Sequence, residues 1–139
     1  MSYSPSLLKN LGIKLAMEFV REKKSPEIRL FQAILLQAFE DSMSVSGFKR
    51  DSYWKEDSHK WFLENSEDFQ NVCWQAEMDP QMIREEYLKL IKKGIVKFSK
   101  LQKSWLNYRE YYKAYRNAKT KEERAEVKKK IYSDKVRIR

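Results

Sequence analysis

Asp79, Pro80, Gln81, Met82, Ile83, Arg84 and Glu85 form the stretch of this chain whose side chains are best suited to chemistry with a partner. Asp followed by Pro starts a helix, because the Asp oxygen accepts an orphan N–H and proline has none to leave unsatisfied. Gln81, Arg84 and Glu85 then point outward near the start of that helix. Their chemistry is hydrogen bonding to base edges: Arg favours guanine O6/N7, Gln favours adenine N6/N7, and Glu accepts from cytosine N4. Ordinary solvated residues have the same pattern, and Glu85 fits that description best. Lys89, Lys92 and Lys93, with Lys97, Lys100 and Lys103 further along, suit phosphate contacts that add affinity but little sequence information.

Bond-making chemistry has little support. His59 in EDSHKWF has no second His to work with and reads as an exposed residue on a helix face. The single Cys73 excludes a disulfide within the monomer, and with one His it leaves no soft ligand set for zinc. Glu67-Asp68 and Glu85-Glu86 are common helix-start or surface pairs, and three isolated Gly cannot form a phosphate-binding loop. The reading is therefore a non-enzyme with no metal and no cofactor.

Several helices must position these residues. Three Gly and three Pro are too few for a sandwich or barrel, while 42% hydrophobic and 35% charged residues in alternation suit amphipathic helices. The expected fold is all-α, a compact helical domain of six to seven helices. Leu8, Leu11, Leu15 and Phe19 recur on one face of a first helix that opens at Ser4-Pro5 and fades over residues 21–24. Ser25-Pro26-Glu27 caps a second, with Ile28, Phe31, Leu35 and Phe39 on one face and Ala33, Ile34, Leu36 and Ala38 filling much of the rest, the pattern of a buried central helix. Residues 42–50 read as a loop and 51–64 as an aromatic-rich third helix; Ser66 caps a fourth at 67–76, and a fifth runs from Pro80 to near Gly94.

Residues 67–93 thus have the form of a helix-turn-helix, with a plain structural hairpin as the alternative. Val72, Ala76, Met78 and Ile83 fall where that motif buries side chains, and Cys73 is small enough for close helix approach. Two positions depart from it. Glu77 stands where Gly often supplies a positive φ, which predicts a longer or differently shaped turn, and Glu86 stands where an apolar residue is expected, leaving Tyr87 and Leu90 to close the core.

Charge divides the chain. Residues 1–88 carry 11 Lys/Arg against 15 Asp/Glu, hence −4, and residues 89–139 carry 18 against 5, hence +13. Such polarity implies a polyanion held at one end. The expected division is a helical core over 1–97 and a basic, aromatic-rich helical extension over 98–139. In that extension Leu101, Trp105, Tyr108, Tyr112 and Tyr115 form a stripe ringed by Lys and Arg. It could stack on unpaired bases or serve as core or dimer interface. Thr120 and Glu123 match a capping box, Val127 and Ile131 follow one turn apart, and the final KVRIR reads as frayed. No cleavable leader or long apolar run is evident, so a cytoplasmic protein with no membrane association is expected.

The run from 30 to 97, with AILLQAFEDS, the WF at 61–62 and DFQNVCWQAEMDPQMIR, resembles the DNA-binding part of the alphaproteobacterial, phage-like activators of gene transfer agent genes. That resemblance implies a transcription activator on the bacterial nucleoid that binds promoter double-stranded DNA, with RNA polymerase and a DNA-bending host factor as partners. It places DNA reading on Gln81, Arg84 and Glu85. A homodimer would set its recognition helices about one DNA turn apart. The competing readings are an RNA-polymerase-binding adaptor or anti-terminator, and a phage DNA-packaging subunit.

Overall fold

Capping side chains set five of the helix starts, at Ser25, Ser66, Asp79, Ser99 and Thr120. The computed structural model describes residues 5–20 and 24–138, with side chains at 7–20 and 24–130. Ser4, residues 21–23 and the side chains of Ile131 and the terminal KVRIR lie outside the described residues. Eight helices and no strand occur among the described residues: α1 (Pro5–Asn10), α2 (Ile13–Val20), α3 (Pro26–Ser42), α4 (Lys49–Glu64), α5 (Glu67–Gln75), α6 (Pro80–Lys92), α7 (Lys100–Asn117) and α8 (Lys121–Ile138). Ser25 Oγ accepts from the Ile28 N–H at 3.3 Å, and Ser66 Oγ from Phe69 at 3.2 Å, so both expected caps are in place. Ser99 and Gln102 form a reciprocal capping box at α7 that the sequence reading passed over.

The expected first helix is two. It breaks at Leu11-Gly12, and the Gly12 N–H that starts α2 donates to Glu86 Oε2 at 3.3 Å. Leu11, Leu15 and Phe19 are buried as expected, but Leu7 takes the fourth buried place across the break and Leu8 is only partly buried.

The chain divides into two compact units, the first formed by Met1–Ser44 and Trp54–Lys97, the second by Val45–Tyr53 and Phe98–Arg139. The start of α4 therefore belongs with α7 and α8, where the sequence reading kept it in the core. In the first unit, α3 buries Gln32, Leu35, Leu36, Phe39 and Ser42. It is not buried all round, since Leu30 and Ile34 are 59% and 41% exposed. Its inward face meets Phe62 of α4, Phe69 of α5, and Ile83, Tyr87 and Leu90 of α6 in one apolar cluster.

Two buried polar side chains tie this cluster to its loops. Gln32 Nε2 donates to the Ala76 carbonyl at 3.3 Å, satisfying the end of α5. Lys55, 1% exposed, donates through Nζ to the Ser44 carbonyl at 2.7 Å and the Lys97 carbonyl at 2.6 Å, joining the segments that follow α3 and α6.

Burial pushes Lys55 down to about 8 from 10.5. In the interval between these values the unfolded chain holds a proton that the folded chain has released, so stability rises with pH across it. Relative to Lys55→Met, the native chain is expected to gain about 1–3 kcal/mol over that interval in urea unfolding. A difference that stays flat with pH would show that Lys55 titrates alike in both states.

Candidate nucleic-acid interface

The turn between α5 and α6 is built by backbone hydrogen bonds. Met78 N–H donates to the Cys73 carbonyl at 2.9 Å and Glu77 N–H to Trp74 at 3.0 Å, the paired bonds of a Schellman ending. That ending needs one left-handed residue, and Glu77 supplies it with φ of 58°. The turn is therefore short and takes the positive φ that Gly often provides; the expectation of a longer or differently shaped turn is corrected. What holds Glu77 there is its surroundings: Lys24 Nζ lies 3.1 Å from its carboxylate, and Gln32 fixes the preceding carbonyl.

Val72, Ala76, Met78 and Ile83 are buried, as is Cys73, so the inward positions read from the sequence do face the core. Tyr87 and Leu90 close it, being 0% and 2% exposed. Glu86 lies aside and partly buried, where its carboxylate accepts from Gly12 N–H and from Lys89 Nζ at 3.3 Å. A carboxylate at the start of α2 satisfies an orphan backbone donor, which explains an acid where an apolar residue was expected.

Asp79 Oδ1 accepts from Gln81 N–H at 3.0 Å and starts α6 as anticipated. On the outer side of α6, Gln81 and Glu85 are exposed and linked by one long bond of 3.4 Å. With Arg84, Asn65, Trp74 and Leu88 they border an open hollow of about 470 Å³. Trp74 and Leu88, 61% and 47% exposed, were not singled out in the sequence, because an apolar residue on a helix is read first as core. Arg84 behaves differently from its two neighbours. Its Nε donates to the Phe62 carbonyl at 3.2 Å and its Nη2 to Leu63 at 3.1 Å, so the guanidinium caps the last turn of α4.

The expected phosphate contacts are split by the division of the chain. Lys89, Lys92, Lys93 and Lys97 lie in the first unit, and Lys100 and Lys103 in the second; all six are exposed. The first unit carries 13 Lys/Arg against 14 Asp/Glu, hence −1, and the second 16 against 6, hence +10. The basic charge thus belongs to the unit that lacks α6.

Within the second unit, Gln102 Nε2 donates to the Ser46 carbonyl at 3.1 Å and Trp105 Nε1 to Gly47 at 3.0 Å, fastening residues 45–53 along α7. The aromatic stripe of α7 stays half open: Leu101 is 39% and Tyr112 45% exposed, and Trp105, Tyr108 and Tyr115 are half-buried. At the start of α8, Thr120 Oγ1 accepts from Glu123 N–H at 3.2 Å, while the Glu123 carboxylate reaches Lys119 N–H, one residue before the cap.

His59 is not on an open face. Its Nδ1 lies 2.6 Å from the Tyr87 hydroxyl, and burial lowers its pKa below the usual imidazole value, so it is a neutral partner of the core. Cys73 is buried, and burial together with Asp79 pushes its thiol up to about 12, far from a reactive thiolate. No group of His, Cys, Asp and Glu fit to hold a metal occurs among the described residues, and no described helix is long and apolar enough to cross a membrane. Comparison with protein families, with characterised proteins and with solved structures finds no match to this chain.

A left-handed conformation costs an L-residue about 1–2 kcal/mol, and the ion pair with Lys24, exposed at its Glu77 end, returns at most about 1. Glu77→Gly is therefore expected to raise unfolding stability by about 0.5–1 kcal/mol in urea titration. A loss of stability would show that the Lys24 contact outweighs the backbone strain.

Proposed function

We propose that this chain binds double-stranded DNA sequence-specifically and acts in transcription, with α5 and α6 as a helix-turn-helix and α6 as the reading helix. The observation that carries the reading is the short left-handed turn at Glu77 followed by a capped α6, which buries Ile83, Tyr87 and Leu90 and leaves Gln81 and Glu85 on its outer side. A reading helix must be held by its inner face and present short polar groups at its start. Lys92 and Lys93 at the far end of α6 then meet phosphates. The narrower role, activation of phage-like gene transfer agent genes with RNA polymerase and a DNA-bending host factor, rests on the resemblance of residues 30–97. So does its setting on the bacterial nucleoid; a homodimer is the arrangement that would match a two-fold repeated site.

Among the three candidate readers, Gln81 and Glu85 take the direct roles in this proposal, adenine and cytosine being their natural partners. Arg84 spends two donors on α4, and guanine recognition by it requires breaking those bonds.

In fluorescence anisotropy, the chain is expected to prefer its own upstream promoter region over a scrambled duplex of equal length. Gln81→Ala and Glu85→Ala should each weaken cognate binding by about 1–3 kcal/mol and spare the scrambled duplex. Lys92→Ala or Lys93→Ala should weaken both and reduce the salt slope by about 0.9. Arg84→Ala is expected to lower unfolding stability as well as binding, so it is measured beside a urea titration. Equal losses on cognate and scrambled DNA from Gln81→Ala would remove α6 from base reading, and RNA polymerase retained without DNA would install the adaptor in its place.

A further inference from the structure

The second unit holds chemistry that α6 does not use. Tyr108 and Tyr112 follow one another along α7 with ring centroids 6.1 Å apart and planes inclined by 30°, and Tyr112 and Tyr115 continue at 6.5 Å and 34°. Cations lie over the ring faces: Arg116 at 5.2 Å from Tyr112, Lys49 at 5.6 Å from Tyr108, and Arg109 at 4.6 Å from Tyr53. These three tyrosines and three cations border a hollow of about 380 Å³, open to solvent at Tyr112.

We propose that this hollow binds a single strand of nucleic acid, with unpaired bases stacked on the tyrosine rings and phosphates on the neighbouring Lys and Arg. A net +10 in this unit selects a polyanion. The rings select which one. A duplex turns its base faces inward and offers phosphate alone, so the exposed ring of Tyr112 adds nothing to its binding, whereas every unpaired base has a π-face to lay on it. An acidic peptide meets the cations but leaves the rings unused. Ring spacing also favours an unstacked strand. The 6.1 Å step between Tyr108 and Tyr112 is nearly twice the ~3.4 Å rise of a stacked strand, so these two rings suit bases that have been drawn apart.

This assignment goes beyond duplex reading by α6 and is independent of it, because none of these residues belongs to the first unit. The test is anisotropy of the full chain with oligo-dT, oligo-U, a duplex of equal length, inorganic polyphosphate and poly-glutamate. Counterion release alone favours the duplex, whose salt slope per contact is about 0.9 against about 0.7 for a single strand. A single strand held roughly tenfold tighter than duplex and polyphosphate is therefore the expected result, and the preference between oligo-dT and oligo-U names the sugar. Tyr112→Ala should weaken single-strand binding roughly tenfold or more while leaving the duplex unchanged, and Tyr112→Phe should retain it. Gln81→Ala should leave it untouched, which separates a failure here from a failure of base reading by α6. Duplex or polyphosphate bound as tightly as the single strand, indifference to Tyr112→Ala with helix content intact by circular dichroism, or tighter binding of poly-glutamate would each overturn the proposal.

Discussion

Phe62 is where four helices of the first unit meet. Its fully buried ring stacks on Tyr87 of α6 at 4.2 Å and 18°, lies 4.7 Å from Phe39 of α3, and meets the edge of Phe69 of α5 at 6.0 Å. Each such pair adds about 0.5–1.5 kcal/mol beyond the burial of the rings themselves. The backbone at the same residue is fixed from α6 as well, since Arg84 takes the Phe62 carbonyl. Side chain and main chain of one residue therefore settle the rotation of α6, and with it which residues α6 turns outward. Gln81 and Glu85 face solvent because Tyr87 and Arg84 are engaged with Phe62.

What could be read from the sequence was local. Ser25-Pro26, Ser66 and Asp79-Pro80 announce helix starts through bonds made within three residues, and Gly94, with φ of 76°, ends α6 by the same kind of short-range geometry. Buried positions 72, 76, 78 and 83 followed from the spacing that a helix pair requires. Long-range partners left no such trace. Lys55 and Gln32 look like surface residues in any local window, and each earns its burial from carbonyls more than forty positions away, Lys97 and Ala76 respectively. Glu77 looked incompatible with its turn because the steric preference was visible and the compensating Lys24 and Gln32 were not. The break at Gly12 likewise depends on Glu86, 74 positions on.

The division of the chain was hidden for a related reason. α4 is one uninterrupted helix, and no composition shift separates Tyr53 from Trp54, yet the two residues belong to different units. Net charge split at residue 88 is −4 and +13; split by unit it is −1 and +10, so the basic excess stays with the second unit once residues 45–53 join it and residues 89–97 leave it. The consequence for a DNA-binding reading is a separation of tasks. On that reading α6 would supply the base contacts from a unit of net −1, too little charge for strong non-specific attraction, while the net +10 lies in the other unit.

Aromatic residues show how the same spacing ends in opposite environments. Phe62, Phe69 and Tyr87 are covered because α3 to α6 supply apolar partners on every side. The stripe on α7 has the same helical period, but its unit contains only α7, α8 and residues 45–53, and among residues 121–130 of α8 only Val127 is even half-buried. Among the described side chains of that unit few apolar groups cover the stripe, and Leu101 and Tyr112 stay exposed. Cations instead lie over ring faces: Lys49 over Tyr108, Arg109 over Tyr53 and Arg116 over Tyr112. On the proposed reading a stacked base would cover the exposed ring of Tyr112, while the unit's net +10 opposes association of one copy with another.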